Sequence, residues 1–266
     1  MDSHDTAPRS ARRDQVTEAF FALHHGLPRQ GPGSDATTRL LLARARPLPG
    51  RPRVLDAGCG GGPATLLLAE EAGARVTAVD LHQPFLDELA AEAARRGLDG
   101  RVTVLNRRME QPALPDRSFD VIWAESSVYA VGFDTALRVW RRLLAPGGVL
   151  AVTEMEWATT RPSAEALSHW AEHCPLRTGA ANEAAARAAG YRVDAHWAMP
   201  ESDWWTEYYT PLTARIAAAD PARPGMRETL AAVRKEIGLR RRHGADYRYA
   251  AYLFRTGAEH RAHPDD

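Results

Sequence analysis

Residues 54–63 read VLDAGCGGGP, an apolar run that carries Asp56, breaks into glycine at 58, 60, 61 and 62, and meets proline at 63. A run of this kind ends a buried strand. The glycines form a turn on which backbone can approach a ligand closely, and Pro63 suits the first position of the helix that follows. Strand, glycine turn and helix together make the first unit of a doubly wound α/β sheet.

The rhythm continues downstream. PATLLLAEEAG reads as a helix and RVTAVDL as a second strand; Pro84 to Arg96 forms a helix closed near Gly97, followed by RVTVLN and FDVIWAES as the third and fourth strands. Asp134 to Leu144 reads as a helix with Leu137, Trp140, Leu143 and Leu144 on its inner side, ended by PGG before the fifth strand, GVLAVTEM. Strands that alternate with helices of this length predict a parallel sheet with helices on both faces, because each crossover returns to the same sheet. The expected fold is α/β, a Rossmann-like sheet of seven mostly parallel strands.

On either side of this core the pattern changes. Val16 to Leu23 predicts a short helix, QGPGS a loop over 30–34, and Asp35 an N-cap for a helix through Ala45. Past Met155 come helical segments at Ser163 to His173 and Asn182 to Ala189, a strand at YRVDAHWAM, a helical excursion over 202–243 and a closing strand, YRYAAYLFR. The expected organisation is a tail over 1–13, an N-terminal helical lid over 14–50, a core over 51–160, cap helices and the last strands of the same domain over 161–257, and a second tail over 258–266.

Composition narrows the function. The chain has 266 residues, 44% hydrophobic and 26% charged, with 34 basic residues against 34 acidic ones. Balanced charge without a basic stripe disfavours nucleic acid and anionic lipid, and no apolar stretch approaches the roughly 20 residues a bilayer requires. The expected partner is a small-molecule substrate, and a homodimer is compatible with the sequence. Cys59 and Cys174 do not suggest a disulfide framework, so a cytoplasmic setting is expected. The ten histidines show no paired ligand spacing, and no metal is expected. RRRH at 240–243 closes a helix, where the dipole favours positive charge.

Asp80 ends the second strand, 20 positions after Gly60, where a carboxylate can accept hydrogen bonds from both hydroxyls of a ribose. That spacing also fits a dinucleotide. However, Pro63 occupies the place of the third glycine in G-x-G-x-x-G, and Asp56 puts an anion where a pyrophosphate would need amide donors alone. A cationic adenosine-bearing ligand satisfies both details. A nicotinamide-dependent oxidoreductase and a silent binding protein stay as alternatives.

On these residues the chain resembles the class I S-adenosylmethionine-dependent methyltransferases. The likeness runs through VLDAGCGGG, AVDLHQPFLDEL, LPDRSFDVIW and LAPGGVLAVTE, about Val54 to Glu154. It implies S-adenosylmethionine as cofactor, with Asp56, Gly58 and Gly60 around the methionine part and Asp80 on the ribose. Leu81, Met109, Glu110 and Ala124 complete the implied cofactor set, with Met109 and Glu110 flanking the adenine. Arg108 and Met109 depart from the family, which commonly has an Asp and a small residue there. RQGPGS (29–34), WAESSVYAVGF (123–133), EMEW (154–157) and ESDWWTEYYTP (201–211) are similar to a bacterial subgroup of small-molecule methyltransferases. That likeness implies that Arg29, Gln30 and Gly31 fold over the cofactor, with Arg29 on the methionine carboxylate.

Methyl transfer is an in-line displacement that requires alignment and exclusion of water more than acid–base chemistry. If the nucleophile carries a proton, Glu125 off the fourth strand or Glu154 off the fifth can take it, and Tyr129 joins them as a catalytic candidate. Trp157, Trp205, Tyr208 and Tyr209 are expected to roof a substrate pocket suited to a flat or cationic acceptor, although aromatic side chains of this kind also serve as packing.

Overall fold

A computed structural model describes residues 9–257. Two helices, α1 (Arg9–His24) and α2 (Asp35–Ala45), precede the α/β units. The units run β1 (Arg53–Ala57), α3 (Pro63–Glu71), β2 (Arg75–Asp80), α4 (Gln83–Arg95), β3 (Val102–Asn106), β4 (Phe119–Ala124), α5 (Phe133–Arg141) and β5 (Leu144–Trp157). Next come α6 (Ala164–His173), β6 (Arg177–Thr178), α7 (Gly179–Ala188) and β7 (Tyr191–Ala198). The chain closes with α8 (Ser202–Trp204), a π-helical turn at Trp205–Tyr209, α9 (Thr210–Ala218), α10 (Met226–His243) and β8 (Tyr247–Thr256).

The sheet has the order β3-β2-β1-β4-β5-β8-β7, with the two-residue β6 paired only to the end of β5. The strands from β3 to β5 are parallel, and β8 runs antiparallel between β5 and β7. Alternation along each strand divides two apolar layers. Val54, Val76, Trp123 and Val149 pack under α2, α3 and α4, whereas Leu55, Ile122, Leu150 and Phe254 pack under α5 and α7. Parallel register places Asp56 beside Ala78 and Trp123, so the carboxyl ends of β1, β2 and β4 share one edge, which is where an open α/β sheet binds ligand.

Several boundaries differ from the sequence expectation. The first helix starts at Arg9, which draws residues 9–13 out of the expected tail. Arg12 pairs with Glu228 of α10 at 2.6 Å, and Ala19 and Leu23 enter the core. The rest of the two expected tails lies outside the described residues. Ser34, not Asp35, caps α2: its backbone is extended and its hydroxyl accepts from Thr37 N at 3.1 Å. The segment PGG does not break the chain before the fifth strand. Gly147 adopts φ +74°, and the pairing with β4 shifts register between Phe119 and Val121. A bulge there keeps β5 continuous from Leu144.

Candidate active site

The glycine turn opens the cleft. Gly58, Gly60 and Gly62 all have positive φ, a region open to glycine at little cost, and Gly58 N donates to Val79 O at 2.8 Å to tie the turn to β2. A Cβ at Gly58 would stand 2.5 Å from Ser127 Cβ, and one at Gly62 would stand 2.2 Å from Leu89 Cδ1. The turn is therefore bare by necessity, and a ligand meets backbone rather than side chains. A cleft of about 260 Å³ lies over it, lined by Asp56, Gly58, Gly60, Asp80, Leu81, Met109 and Glu110 among others.

Asp80 holds the turn from the side. One carboxylate oxygen accepts from Gly60 N and the other from His82 N, both at 2.9 Å. Each oxygen retains a lone pair for a further donor. Leu81 is 52% exposed beside it, an apolar surface facing the cleft. Met109 forms the opposite wall; its backbone carbonyl accepts from Trp140 Nε1 at 2.9 Å. Glu110 takes the guanidinium of Arg108 at 2.5 Å, so the two charges at the rim pair with each other.

Asp56 is buried beneath the turn and accepts from Thr65 Oγ1 at 2.5 Å. Burial pushes its carboxyl up to about 7, the hydrogen bond from Thr65 opposes the shift, and the nearby acids Glu125 and Asp80 add to it. Its negative charge is thus held ready rather than fully present at neutral pH, and a cation in the cleft would draw it out.

Segment 29–33 is folded over the turn. Gln30 Oε1 accepts from Gly61 N at 2.9 Å while its Nε2 donates to Leu27 O at 3.1 Å. A Cβ at Gly60 would lie 2.4 Å from that same Oε1. Gly31 abuts Ser126, whose hydroxyl donates to Pro32 O at 2.7 Å. Arg29, Gln30 and Gly31 therefore all line the cleft.

The charges here are arranged differently from the sequence expectation. Arg29 is 6% exposed, and its guanidinium donates to Glu125 Oε2 at 2.8 Å, Asp35 Oδ1 at 3.0 Å and Thr38 Oγ1 at 3.1 Å. Glu125 Oε1 in turn accepts from Thr38 Oγ1 at 2.7 Å and Trp123 Nε1 at 2.9 Å. Each Glu125 oxygen is already engaged and its charge is matched by Arg29, an arrangement suited to holding segment 29–33 against β4 and poorly suited to taking a proton. The same contacts commit most of the Arg29 donors that the sequence reading offered to a methionine carboxylate. Strand alternation turns the Ala124 side chain into the layer under α5, fully buried, and Ala124 is not in the cleft lining.

A second cavity of about 340 Å³ adjoins the cleft. Phe20, Gln30, Gly31, Pro32, Ser126 and Tyr129 line both and form the boundary between them. Tyr129 lies deep enough that desolvation pushes its phenol up to about 12, yet 47% of its surface is accessible. The two agree because that surface faces the cavities. Farther in, the walls are Met155, Trp170, Trp204, Tyr208, Val233 and Tyr249.

Of the expected roof, only Tyr208 reaches this chamber. Its hydroxyl lies 3.2 Å from Nε2 of the buried His24, whose Nδ1 lies 2.8 Å from Phe20 O. The π-helical turn sends Trp205 and Tyr209 to a shared face, their rings 5.3 Å apart, where Trp205 Nε1 donates to Glu201. Trp157 packs at the sheet end, where β5 pairs with β6 and β8. Glu154 is buried, accepts from Met155 N at 2.7 Å, and is pushed by desolvation up to about 7, but it lines neither cavity.

The sequence reading passed over Glu236, which lines the chamber from α10. A signal for it existed. Met226, Leu230, Val233 and Ile237 mark the buried stripe of that helix, and Glu236 puts a carboxylate among them.

Comparison with known proteins agrees with this geometry. A family model described as a methyltransferase domain matches residues 54–148. A trans-aconitate 2-methyltransferase of Paracidovorax citrulli is 32% identical over 189 residues, 68% of this chain and 70% of that protein. A 27-O-demethylrifamycin SV methyltransferase of Amycolatopsis mediterranei is 33% identical over 135 residues, 49% of this chain and 50% of its own. Among solved structures, the (4+2)-cyclase SpnF aligns with a TM-score of 0.71 and 25% identity, covering 95% of this chain and 98% of that one. The chain spans about half the length of the first curated relatives it matches. Other structures with this fold are complexes with S-adenosyl-L-homocysteine. Bare glycine backbone, a strand-end carboxylate and a poised buried acid fit an uncharged ribose beside a sulfonium. The chain belongs to the class I S-adenosylmethionine-dependent methyltransferases, and S-adenosylmethionine is its cofactor.

Proposed function

We propose that this protein transfers the methyl group of S-adenosylmethionine to a small-molecule acceptor bound in the apolar chamber. The observation that carries this reading is the boundary shared by two cavities, where Gln30, Gly31, Ser126 and Tyr129 separate the cofactor cleft from the chamber. The cofactor supplies a methyl carbon already activated by positive sulfur. The protein's part is to hold the two molecules in line and keep water out.

In this reading Asp80 accepts from the ribose hydroxyls, the backbone at Gly58 and Gly60 lies against the methionine part, and Leu81 and Met109 flank the adenine. Asp56 balances the sulfonium and ammonium from below. Gln30 and Gly31 close the top, held there by the Arg29–Glu125 pair. Tyr129 borders the transfer point. Titration calorimetry with S-adenosylhomocysteine, followed by transfer of a deuterated methyl group to a metabolite panel, tests the assignment. Binding of NAD(H) without any response to S-adenosylhomocysteine would overturn it.

The near-complete alignment with SpnF supports a second reading, a cofactor-dependent cyclisation without methyl transfer. Product mass separates the two: methylation adds one methyl group, whereas cyclisation leaves the mass of the substrate unchanged.

A further inference from the structure

The polar side of the chamber is selective. Among the described residues its lining includes one carboxylate, Glu236, together with His169 and His173, and no lysine or arginine. Glu236 Oε1 accepts from Tyr209 OH at 2.7 Å. Its Oε2 has no partner among the described residues and is not among the polar atoms sealed without one, so it opens on the chamber whose wall Glu236 forms. The Glu236 charge also reaches the phenols of Tyr129 and Tyr208, which places it in range of the boundary with the cofactor cleft.

We propose that the acceptor is an uncharged, mainly apolar small molecule whose hydroxyl donates to Glu236 Oε2, and that Glu236 takes the hydroxyl proton during transfer. This rests on the methyl-transfer reading above. A carboxylate acceptor would find no lysine or arginine in the lining and would face Glu236, which costs far more than burying a paired charge. An ammonium would pair with Glu236, and its nitrogen has no lone pair for attack until a proton has left, whereas a hydroxyl oxygen carries its lone pairs throughout. A hydroxyl meets neither obstacle. Burial raises the Glu236 carboxyl above its ordinary range, which brings its basicity closer to working pH. The balance is simple: an oxygen–carbon bond forms, the carbon–sulfur bond breaks with its pair left on sulfur, and the hydroxyl proton passes to Glu236.

Three probes of one shape test the class: naphthylethanol, naphthylethylamine and naphthylacetate, titrated into protein saturated with S-adenosylhomocysteine. The alcohol should bind at least about tenfold more tightly than the acid, the amine should bind through its ion pair without accepting a methyl group, and Glu236→Gln should weaken the alcohol about tenfold. With S-adenosylmethionine in place of the product, single-turnover transfer to the bound alcohol should slow about a hundredfold in Glu236→Gln. Equal affinity for the acid, methyl transfer to the amine as fast as to the alcohol, no alcohol binding, no transfer to the alcohol, or equal rates in the two proteins each overturn the proposal. Affinity for S-adenosylhomocysteine within about twofold in both proteins shows that the fold and the cofactor site are intact. If neither protein binds it, the methyl-transfer reading fails first and this proposal falls with it.

Discussion

Replacing Glu125 by Gln separates a tether from a base. The carboxylate accepts from Arg29, Thr38 and Trp123, and the Arg29 and Glu125 side chains are only 7% and 8% accessible. Breaking one partner of such a buried pair costs about 3–5 kcal/mol. The substituted side chain keeps one oxygen for Thr38 and Trp123 and sets an amide N–H₂ against the guanidinium, so the low end, about 3 kcal/mol, is expected. Unfolding entropy of about 2.1 cal/mol/K per residue makes that a loss of roughly 5–6 °C in Tm for a chain of this size. Differential scanning calorimetry reads the shift directly. Because Arg29 lies one residue from the Gln30 clamp on Gly61, affinity for S-adenosylhomocysteine should fall about tenfold, a loss comparable to one charge-assisted hydrogen bond. Turnover at saturating cofactor should stay within about twofold. A double variant with Arg29→Met should be less destabilised than the sum of the single changes, because no buried charge is left unmatched. An unchanged Tm with turnover down about a hundredfold would instead make Glu125 a general base and refute the tether argument.

Other perturbations probe the cleft. Asp80→Ala removes the acceptor for Gly60 N and His82 N together with the expected ribose contact, and calorimetry should record roughly a hundredfold weaker S-adenosylhomocysteine binding. Gly62→Ala forces a Cβ to 2.2 Å from Leu89 at φ +81°, so its thermal melt should fall by several degrees even without ligand. Asp56 titrates near 7 in the folded protein against 3.8 as its ordinary value. Between those values the folded state holds more protons than the unfolded one, so the Asp56 contribution to the stability of the ligand-free protein falls as pH rises from about 4 to 7. Binding of the cationic cofactor should run the other way and strengthen from pH 6 to 8 with proton release, seen as a buffer-dependent heat, and Asp56→Asn should abolish that release.

Most of the α/β core was legible in the chain. Periodicity and turn chemistry act between residues near in sequence, so β1 to β4, the glycine turn and Asp80 at its edge follow from local pattern. The buried stripe of α10 was equally local, but the meaning of Glu236 within it was not, because a carboxylate on an apolar face reads as an exception until its surroundings are known. Trp205 and Tyr209 illustrate the reverse. Aromatic composition suggested a roof, but on the π-helical turn neither side chain lines the chamber, and Tyr209 touches its wall only from behind, through Glu236.

By itself, then, the sequence determined a doubly wound sheet and a ligand turn whose acid favours a cation over a phosphate. Only the tertiary structure decided which charges are spent and which are open. Arg29 meets Glu125 across 96 positions, and Tyr209 meets Glu236 across 27. Such pairings depend on how the N-terminal helices and the helices between β7 and β8 pack against the sheet, and burial then decides whether a carboxylate serves as a structural tie or remains free to take a proton.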